Sequence, residues 1–253
     1  MIQRLELFFL DVVLKIGTRL IRGAAATMRF ISGRRIYADR PTRVWIDVGA
    51  HRGETTFQPA REDPNLIVYA FEPDVSIASH RYSLLPNFIV LPMAVTETDG
   101  FREFNINSNP RTSSLLPLDE AGLKKWRGAD GLRTVRRSVV PTVRLDTFMD
   151  ALGIKSLDYL KIDAQGHDLE VVRSLGDRFC DVSEIRLEAC AADQPMYAGA
   201  NNRVEEIIAF MKTRDFDIVE NQSESLGQER NLVFRPVRPV VVAAAVGEET
   251  RSR

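Results

Sequence analysis

The sequence is short of the features that several large protein classes require. It holds two cysteines in 253 residues, and Cys180 and Cys190 stand ten positions apart, a spacing that matches no common zinc pattern. Both have apolar neighbours in the sequence, so we expect buried free thiols and a reducing compartment. No apolar run reaches the roughly 18 residues that a transmembrane helix needs. These shortages favour a cytoplasmic protein without a disulfide framework or a membrane span.

Positive charge is not in surplus either. Lys and Arg number 34 against 35 Asp and Glu, which gives a formal net charge of −1. General nucleic-acid binding depends on a surplus of Lys and Arg, so we expect no nucleic-acid partner. Apolar residues make up 44% of the chain and charged residues 27%, which is ordinary for a globular protein. The length allows one domain with a full hydrophobic core and short appendages.

The chain lacks the G-x-G-x-x-G fingerprint of dinucleotide-binding proteins at the place where that motif is expected. Residues 44–48 form the β-branched and aromatic run of a buried strand, and Gly49 and Gly53 follow it, four positions apart. Such glycines allow a left-handed backbone and a close approach to a ligand. Asp47 stands at the carboxyl end of this strand, where open α/β sheets bind ligands. A carboxylate there repels phosphate and suits a cation, such as an amino group or a sulfonium.

A second acid follows the next apolar run. Residues 66–71 end in Glu72 and Pro73, and Glu72 stands 19 positions beyond Gly53. An acid at the end of the second strand accepts hydrogen bonds from both hydroxyls of a ribose. An acid for an amino group, a glycine turn and an acid for a ribose describe S-adenosylmethionine better than NAD.

The parts of this cofactor can be assigned to separate segments. We expect Asp47 and the Gly49–Gly53 backbone to hold the methionine part, and Glu72 to hold the ribose. His51 shapes the turn in this interpretation and does no chemistry. We expect the loop after the third strand, around Met93 to Val95, to bind the adenine. The predicted cofactor-binding residues in these segments are Asp47, Gly49, Ala50, His51, Gly53, Glu72, Pro73 and Ala94. Asp163, at the end of a later strand, is counted with them.

Strands and helical segments alternate along most of the chain. Strands are expected at 43–48, 66–71, 88–91, 157–162 and 184–187, and helices at about 54–61, 75–84, 145–153, 165–172 and 202–213. This alternation predicts a parallel sheet that is covered by helices on both faces. The runs 216–219 and 231–234 predict a hairpin that closes the sheet.

Residues 93–145 interrupt the alternation. The runs 101–107 and 137–143 alternate like half-exposed strands, and Pro141 indicates an edge strand. We expect an antiparallel excursion whose long loop lies near the ligand end of the sheet, because long loops in compact domains tend to be lids or binding loops. Ser113 and Ser114 in this loop are candidates to cap the methionine carboxylate or to close over the substrate. Plain turn chemistry is the alternative for both serines.

Two appendages flank the domain, which is expected over residues 36–236. Residues 1–35 carry apolar side chains at helical spacing, with seven Lys and Arg against two acids. A basic amphipathic helix of this kind packs on the domain or on a second subunit, or it makes a peripheral contact with an anionic membrane. The Pro- and Ala-rich residues 237–253 are predicted to be disordered.

With these residues in place, the chain resembles the FkbM family of S-adenosylmethionine-dependent methyltransferases over about residues 43–235. The motifs that carry the resemblance are 46–53, 71–73, 112–115, 143–146, 160–168 and 231–234. The resemblance implies a class I methyltransferase fold, which is a Rossmann-like doubly wound sheet of seven mostly parallel strands with the last antiparallel. It also implies O-methylation of a hydroxyl as the usual reaction.

One position departs from the family pattern. The family commonly has Glu where this chain has Gln165. An amide cannot accept a proton as a carboxylate does, so if that position serves as a base elsewhere, it cannot do so here.

Three side chains are candidates for the proton chemistry of methyl transfer to a hydroxyl. Asp163 leads, as base or substrate-orienting group, because it ends the strand that is expected beside the first; a helix N-cap is its alternative role. Glu188, at the end of the adjacent strand, is second, with a salt bridge to an Arg as the alternative. His167 is third, because a helix N-terminus disfavours its protonated form. Nothing in their spacing demands a metal.

The leading hypothesis is an S-adenosylmethionine-dependent O-methyltransferase that acts on a small-molecule, glycan or lipid-linked acceptor, with the oligomeric state left open. An NAD(P)-dependent oxidoreductase is the alternative from another enzyme class, although it lacks its fingerprint. A binding protein that keeps the cofactor pocket without catalysis is the third hypothesis, which the Gln165 departure leaves open. A lipid-linked acceptor would give the basic N-terminal helix a purpose at the membrane.

Overall fold

The computed structural model describes residues 43–80 and 84–238, so the predicted helix of residues 1–35 and most of the predicted disordered tail lie outside the described residues. The strands in these ranges are β1 Arg43–Val48, β2 Leu66–Phe71, β3 Phe88–Leu91, β4 Ala94–Val95, β5 Gly100–Asn107, β6 Thr134–Val143, β7 Tyr159–Ile162, β8 Ile185–Cys190, β9 Phe216–Glu224 and β10 Glu229–Pro236. The α-helices are α1 Phe57–Glu62, α2 Val75–Ala78, α3 Glu120–Leu123, α4 Leu145–Leu152, α5 Asp168–Arg173 and α6 Val204–Lys212. Short 3-10 helices cover Pro110–Thr112, Arg178–Asp181 and Ser225–Gly227.

Seven strands form the main sheet, in the order β3-β2-β1-β7-β8-β10-β9. β1, β2, β3, β7 and β8 pair in parallel, whereas β10 is antiparallel to both of its neighbours. The predicted seven-stranded, mostly parallel sheet with an antiparallel last strand is therefore confirmed, as is the closing hairpin. Because the parallel strands run the same way, the carboxyl ends of β1, β2, β7 and β8 meet at one edge of the sheet.

The central strands are mostly apolar because both faces of the sheet are covered. Ile46 of β1 and Leu160 of β7 are fully buried in one large cluster with α4, α5 and α6, while Val68 of β2 belongs to a second cluster with α1. Helix α4 ends where Gly153 takes the left-handed conformation, with φ 66°, which is a common way to end a helix. These layers fix the strand ends from which the loops emerge.

Residues 94–143 form a second, three-stranded sheet in the order β4-β6-β5, and this confirms the antiparallel excursion. The prediction that Pro141 marks an edge strand is wrong, since β6 is the central strand of this sheet. β4 pairs with Thr142 and Val143 and does not extend to Pro141. The proline is tolerated because the second neighbour of β6 is too short to reach it.

Three further expectations need correction. The helix after β1 begins at Phe57 and not at residue 54, because the turn that starts at the left-handed His51 and Gly53 continues through residue 56. β8 continues to Cys190, so Glu188 lies inside the strand and not at its end. Cys190 is a buried free thiol as expected, but Cys180 is exposed because it lies in the 3-10 turn Arg178–Asp181. In the described ranges, no helix is long and apolar enough to cross a membrane.

Candidate active site

A cavity of about 710 Å³ opens at the edge where the parallel strands end, a size typical of ligand sites. The turns after β1, β2 and β7 and Glu188 of β8 form its floor, and the segments 108–113, 126–132 and 225–229 contribute to its walls. The predicted site residues that line it are Gly49, Ala50, His51, Glu72, Pro73, Ala94, Ser113, Asp163, His167 and Glu188. Asp47, Gly53 and Ser114 do not belong to the lining.

The turn after β1 depends on its two glycines. Gly49 has φ +69°, and a Cβ there would lie 1.9 Å from the carbonyl oxygen of Asp163. Gly53 has φ +70°, and a Cβ there would lie 2.8 Å from the ring of Phe88. Glycine is required at both positions because the backbone is left-handed and the space for a side chain is already taken. Gly53 therefore shapes the turn from outside the cavity.

Glu72 fixes this turn from the neighbouring strand. Its carboxylate accepts the backbone N–H of His51 through Oε2 at 2.9 Å and that of Asp74 through Oε1 at 2.9 Å. The carboxylate is buried, and burial raises its pKa to about 7. Each oxygen still has a lone pair available, and Glu72 lines the cavity. These acceptors fit a ribose diol.

The surroundings of Glu72 fit the rest of a nucleoside. Its backbone N–H donates to the carbonyl of Leu91, so the end of β3 and the following residues lie beside it. Met93, Ala94 and Val95 line the cavity there together with Phe71. An apolar wall next to a diol-binding carboxylate suits a flat base beside a ribose. The residues present are thus compatible with the S-adenosylmethionine that the sequence predicts.

Asp47 lies beneath the turn and not in the cavity. Its side chain is 1% exposed, and its Oδ2 accepts the hydroxyl of Thr56 at 2.5 Å. Lys161 Nζ lies 3.0 Å from Asp47 Oδ1, 3.7 Å from Asp163 Oδ2 and 2.9 Å from the carbonyl oxygen of Gly49, to which it donates. Burial opposes the charge of Lys161, but the carboxylates of Asp47 and Asp163 outweigh it and raise the pKa. A direct contact between Asp47 and the cofactor amino group stays a prediction.

The turn after β7 brings Asp163 to the cavity. Gln165 at its centre is left-handed, with φ 53°, and Gly166 follows with φ 89°. Asp168 is fully buried and accepts the backbone N–H groups of Ala164 at 3.0 Å and Gly166 at 3.1 Å. Ser114 Oγ donates to the carbonyl of Gln165 at 2.8 Å. Ser114 is therefore used to hold this turn, while Ser113 remains at the cavity wall.

Two of the three predicted catalytic residues meet at the cavity floor. The amide nitrogen of Gln165 lies 2.7 Å from Asp163 Oδ1 and 3.3 Å from Glu188 Oε2, so the two carboxylates lie close together. The side chain of Asp163 is 39% exposed, towards the cavity that it lines. Burial and the charge of Asp163 raise the pKa of Glu188 well above its ordinary value. Glu188 is therefore suited to hold a proton, and Asp163 to accept one.

His167 lies at the inner wall. It is buried, and its Nε2 lies 2.8 Å from Thr96 Oγ1. Burial, together with the nearby charge of Arg102, lowers its pKa to about 4. A neutral imidazole of such low basicity is the least suited of the three candidates to take a proton near neutral pH. Within residues 43–80 and 84–238, no group of three or more His, Cys, Asp or Glu side chains is arranged to hold a metal ion.

Sequence reasoning missed Lys161 and Tyr197. A signal for Lys161 existed, because it is the charged residue in an otherwise apolar buried strand, two positions before Asp163. No local signal marks Tyr197, which follows β8 in an irregular segment. Its hydroxyl lies 2.7 Å from Gln165 Oε1 and 2.8 Å from the Thr112 carbonyl oxygen. Tertiary structure alone brings this phenol to the site.

Comparison with known proteins gives one family. A model of the methyltransferase FkbM domain matches residues 47–218, which include the turns after β1 and β7 and the strands that carry Glu72 and Glu188. No curated protein matches the sequence closely enough to count as a relative.

Several solved structures are similar at low sequence identity. One is the magnesium protoporphyrin IX methyltransferase (ChlM) from Synechocystis PCC 6803 with bound SAM, which is 9% identical, with 88% of this chain and 81% of that chain covered and a TM-score of 0.42. The fibrillarin/Nop5p complex is 15% identical, with coverage of 78% and 74% and a TM-score of 0.44. The mitomycin 7-O-methyltransferase MmcR is 15% identical, with coverage of 79% and 51% and a TM-score of 0.38. Likenesses of this degree say nothing about substrate.

Proposed function

The chain belongs to the methyltransferase FkbM domain family, whose cofactor is S-adenosylmethionine, and on that premise we propose that it methylates a hydroxyl oxygen of a small-molecule, glycan or lipid-linked acceptor. The observation that supports a hydroxyl as the acceptor is the pair of carboxylates, Asp163 and Glu188, at the floor of the cavity. A hydroxyl is a weak nucleophile until a base removes its proton. Asp163 is the carboxylate that is accessible enough to do so.

The chain's own residues divide into two groups in this proposal. The turn 49–53 and Glu72 hold the cofactor, and Met93 to Val95 form the apolar wall beside it. When bound, S-adenosylmethionine supplies an electrophilic methyl group on a positively charged sulfur. Asp163 orients the acceptor hydroxyl and takes its proton, and Glu188 lies beside it in the protonated form. The segments 108–113, 126–132 and 225–229 restrict water at the reacting atoms and contact the acceptor, because they form the cavity walls.

Calorimetry with S-adenosylhomocysteine, the cofactor product, is the first test. We expect one site per chain in the wild-type protein and a clear loss of affinity in Glu72→Ala. NAD(P) should give no heat. Binding of NAD(P) with no binding of S-adenosylhomocysteine would support the oxidoreductase and overturn the proposal.

Transfer of a labelled methyl group is the second test. Candidate acceptors are sugars, lipid-linked glycans and polyketide hydroxyls, and mass spectrometry of the product distinguishes a methyl ether from a methylamine. We expect a methyl ether, and about a 100-fold or larger loss of kcat in Asp163→Asn, because a positioned general base typically contributes this much. Asp177→Asn is the matched control, since Asp177 is exposed and lies outside the cavity lining. A methylamine product would overturn the hydroxyl assignment, and binding without transfer to any of these acceptors would favour the non-catalytic homologue.

A further inference from the structure

Gln165 stands at the centre of the polar groups on the cavity floor. Its amide nitrogen contacts Asp163 Oδ1 at 2.7 Å and Glu188 Oε2 at 3.3 Å, and its amide oxygen contacts the hydroxyl of Tyr197 at 2.7 Å. A primary amide has two N–H donors and one carbonyl acceptor. Both donors and the acceptor of Gln165 are therefore matched by a partner.

The charges around the amide fix its orientation. Lys161 Nζ lies 3.7 Å from Asp163 Oδ2, so a cation faces that carboxylate from the other side, and carboxylate oxygens are hydrogen-bond acceptors. The amide must then present its NH₂ group to Asp163. The carbonyl side is left to face Tyr197, which has a hydroxyl proton to donate.

The backbone conformation of Gln165 supports this placement of its side chain. A left-handed residue other than glycine is strained, and such strain persists only where the surroundings impose it. Asp168 and Ser114 impose it here, through the N–H of Gly166 and the carbonyl of Gln165. A Cβ on Gly166 would lie 2.9 Å from the ring of Tyr197, so the glycine lets that ring pack against the turn. Asp168, Ser114 and Tyr197 thus hold the turn that places the amide.

We propose that Gln165 is a positioning residue whose amide holds Asp163 and Glu188 together as a pair that carries one proton and one negative charge. This role rests on the proposed methylation of a hydroxyl. The proton of the acceptor passes to Asp163, the electron pair left on the acceptor oxygen forms the bond to the methyl carbon, and sulfur leaves as the neutral thioether. Gln165 touches no reacting atom in this arrangement; it aims the free lone pairs of Asp163 at the acceptor.

The surrounding charges support a single proton on the pair. The charged and titratable groups that face it are Lys161 on β7, Asp47 on β1, Asp168 on α5, Glu224 on β9, Glu229 on β10 and the phenol of Tyr197. Lys161 is the one cation among them, and it is shared with Asp47. If Asp163 and Glu188 were both ionised, their two negative charges would repel each other at close range. A carboxylate at position 165 would add a third acid to this group, whereas the amide adds two donors and no charge.

An NMR titration of the ligand-free protein tests the pairing without any turnover. Carboxyl ¹³C labels on Glu and Asp report the ionisation of Glu188 in the wild-type protein and in Gln165→Met, which has a similar size but no donor. We expect the Glu188 transition to move to higher pH in Gln165→Met, because a hydrogen bond to the charged form has been lost. Tyr197→Phe should move it in the same direction by less. Gln58→Met, an exposed substitution on α1, should leave it in place.

The pH profile of kcat is the second readout. Its acidic limb should move to higher pH in Gln165→Met, and kcat at neutral pH should fall about 10–100-fold, since a misaligned catalytic group typically costs this much. The affinity for S-adenosylhomocysteine should stay within about twofold of the wild type, because Gln165 does not hold the cofactor. If Gln165→Met fails to fold, the isosteric Gln165→Glu replaces it, and the same alkaline displacement is expected from the added acid.

The outcomes separate this inference from the proposed function. An unchanged Glu188 titration in a folded Gln165 variant would overturn the positioning role even if the wild-type enzyme methylates a hydroxyl. A displaced titration in a protein that transfers no methyl group would keep the paired carboxylates and overturn the function. An unaltered kcat profile in Gln165→Met, with full activity, would also overturn the role of the pair in proton transfer.

Discussion

The turns that follow β1 and β7 lie side by side at the cavity floor, but they are held in different ways. In the turn after β1, the N–H groups of Gly49 and Ala50 both donate to the carbonyl of Phe71, and that of His51 donates to Glu72. Its anchors thus come from the neighbouring strand. The backbone N–H groups of Ala164 and Gly166 in the turn after β7 are held from within, because Asp168 accepts both, while Ser114 holds the carbonyl of Gln165 from another segment.

The difference corresponds to a division of labour. The turn after β1 uses backbone and buried carboxylates to keep a fixed concave surface, and its own acid, Asp47, is 1% exposed. The turn after β7 leaves its first acid, Asp163, 39% exposed at the cavity. Lys161 joins the two, because its ammonium contacts Asp47, Asp163 and the Gly49 carbonyl. In the proposed function, the turn after β1 binds the cofactor and the turn after β7 carries the proton chemistry, with a shared cation between them.

Removing that cation should have the largest effect. Lys161→Met leaves Asp47 buried without a countercharge, and breaking a buried ion pair in this way typically costs about 3–5 kcal/mol. We expect the free energy of unfolding to fall by that amount in urea titrations at pH 7. The double variant Lys161→Met, Asp47→Asn should recover part of the loss, because the unpaired charge is removed as well. Strictly additive losses in the two variants would mean that Lys161 does not couple the turns through Asp47.

A substitution at Gly49, in the turn after β1, tests the contact between the two turns directly. Gly49→Ala would place a Cβ 1.9 Å from the Asp163 carbonyl at φ +69°, and we expect a loss of about 2–5 kcal/mol from overpacking and backbone strain together. Gly153→Ala is the matched control. It has φ +66° and no atom within 4 Å of the added Cβ, so it should lose about 1–2 kcal/mol from the backbone alone. Equal losses of unfolding free energy would show that the two turns are not in tight contact.

The turn after β1 could be predicted because its information is local. A buried strand, Asp47, two glycines and a second strand that ends in Glu72 follow one another within 30 residues, and each has a residue type that its geometry requires. The sheet was predictable for the same reason, since parallel strands that are buried on both faces have continuous apolar runs. Boundaries that depend on backbone angles, such as the start of α1, were harder to predict than the elements themselves.

The turn after β7 was only half predictable. Asp163 follows a strand and could be singled out, but the partners of Gln165 come from β8 and from the segment after it, 23 and 32 positions away. The departure at Gln165 indicated a lost base and gave no hint of a hydrogen-bond centre. The prediction that Pro141 marks an edge strand was wrong for a related reason, because the length of β4 decides whether a proline fits in β6. Residue patterns along the chain do not record such distant neighbours.

Asp168→Asn tests whether the turn after β7 is held from within. The amide keeps one acceptor and presents a donor to the other N–H, so we expect a loss of about 1–3 kcal/mol. Burial raises the pKa of Asp168 to about 7 from an unperturbed value of 3.8, so the native state retains the proton to higher pH than the unfolded chain does. The wild type therefore loses stability as pH rises from about 4 through 7. The asparagine variant lacks this pH dependence. The difference in the free energy of unfolding between the two proteins, measured at pH 5.5 and at pH 8, should therefore be smaller at pH 8. A constant difference would mean that Asp168 does not titrate in this range.

Glu72 offers the mildest test, since it requires a change of pH and no loss of fold. Burial raises the pKa of this carboxyl to about 7 in the free protein, and the ionised form is the one that accepts both hydroxyls of a ribose. Binding of the nucleoside thus favours loss of the proton, and the affinity for S-adenosylhomocysteine should rise about tenfold between pH 6 and pH 8. Glu72→Gln should bind more weakly at pH 8 and show no such slope. Asp47→Asn should keep the slope, because Asp47 lies beneath the turn and does not line the cavity. A slope that disappears in Asp47→Asn and persists in Glu72→Gln would exchange the roles of the two acids and restore the direct contact between Asp47 and the cofactor.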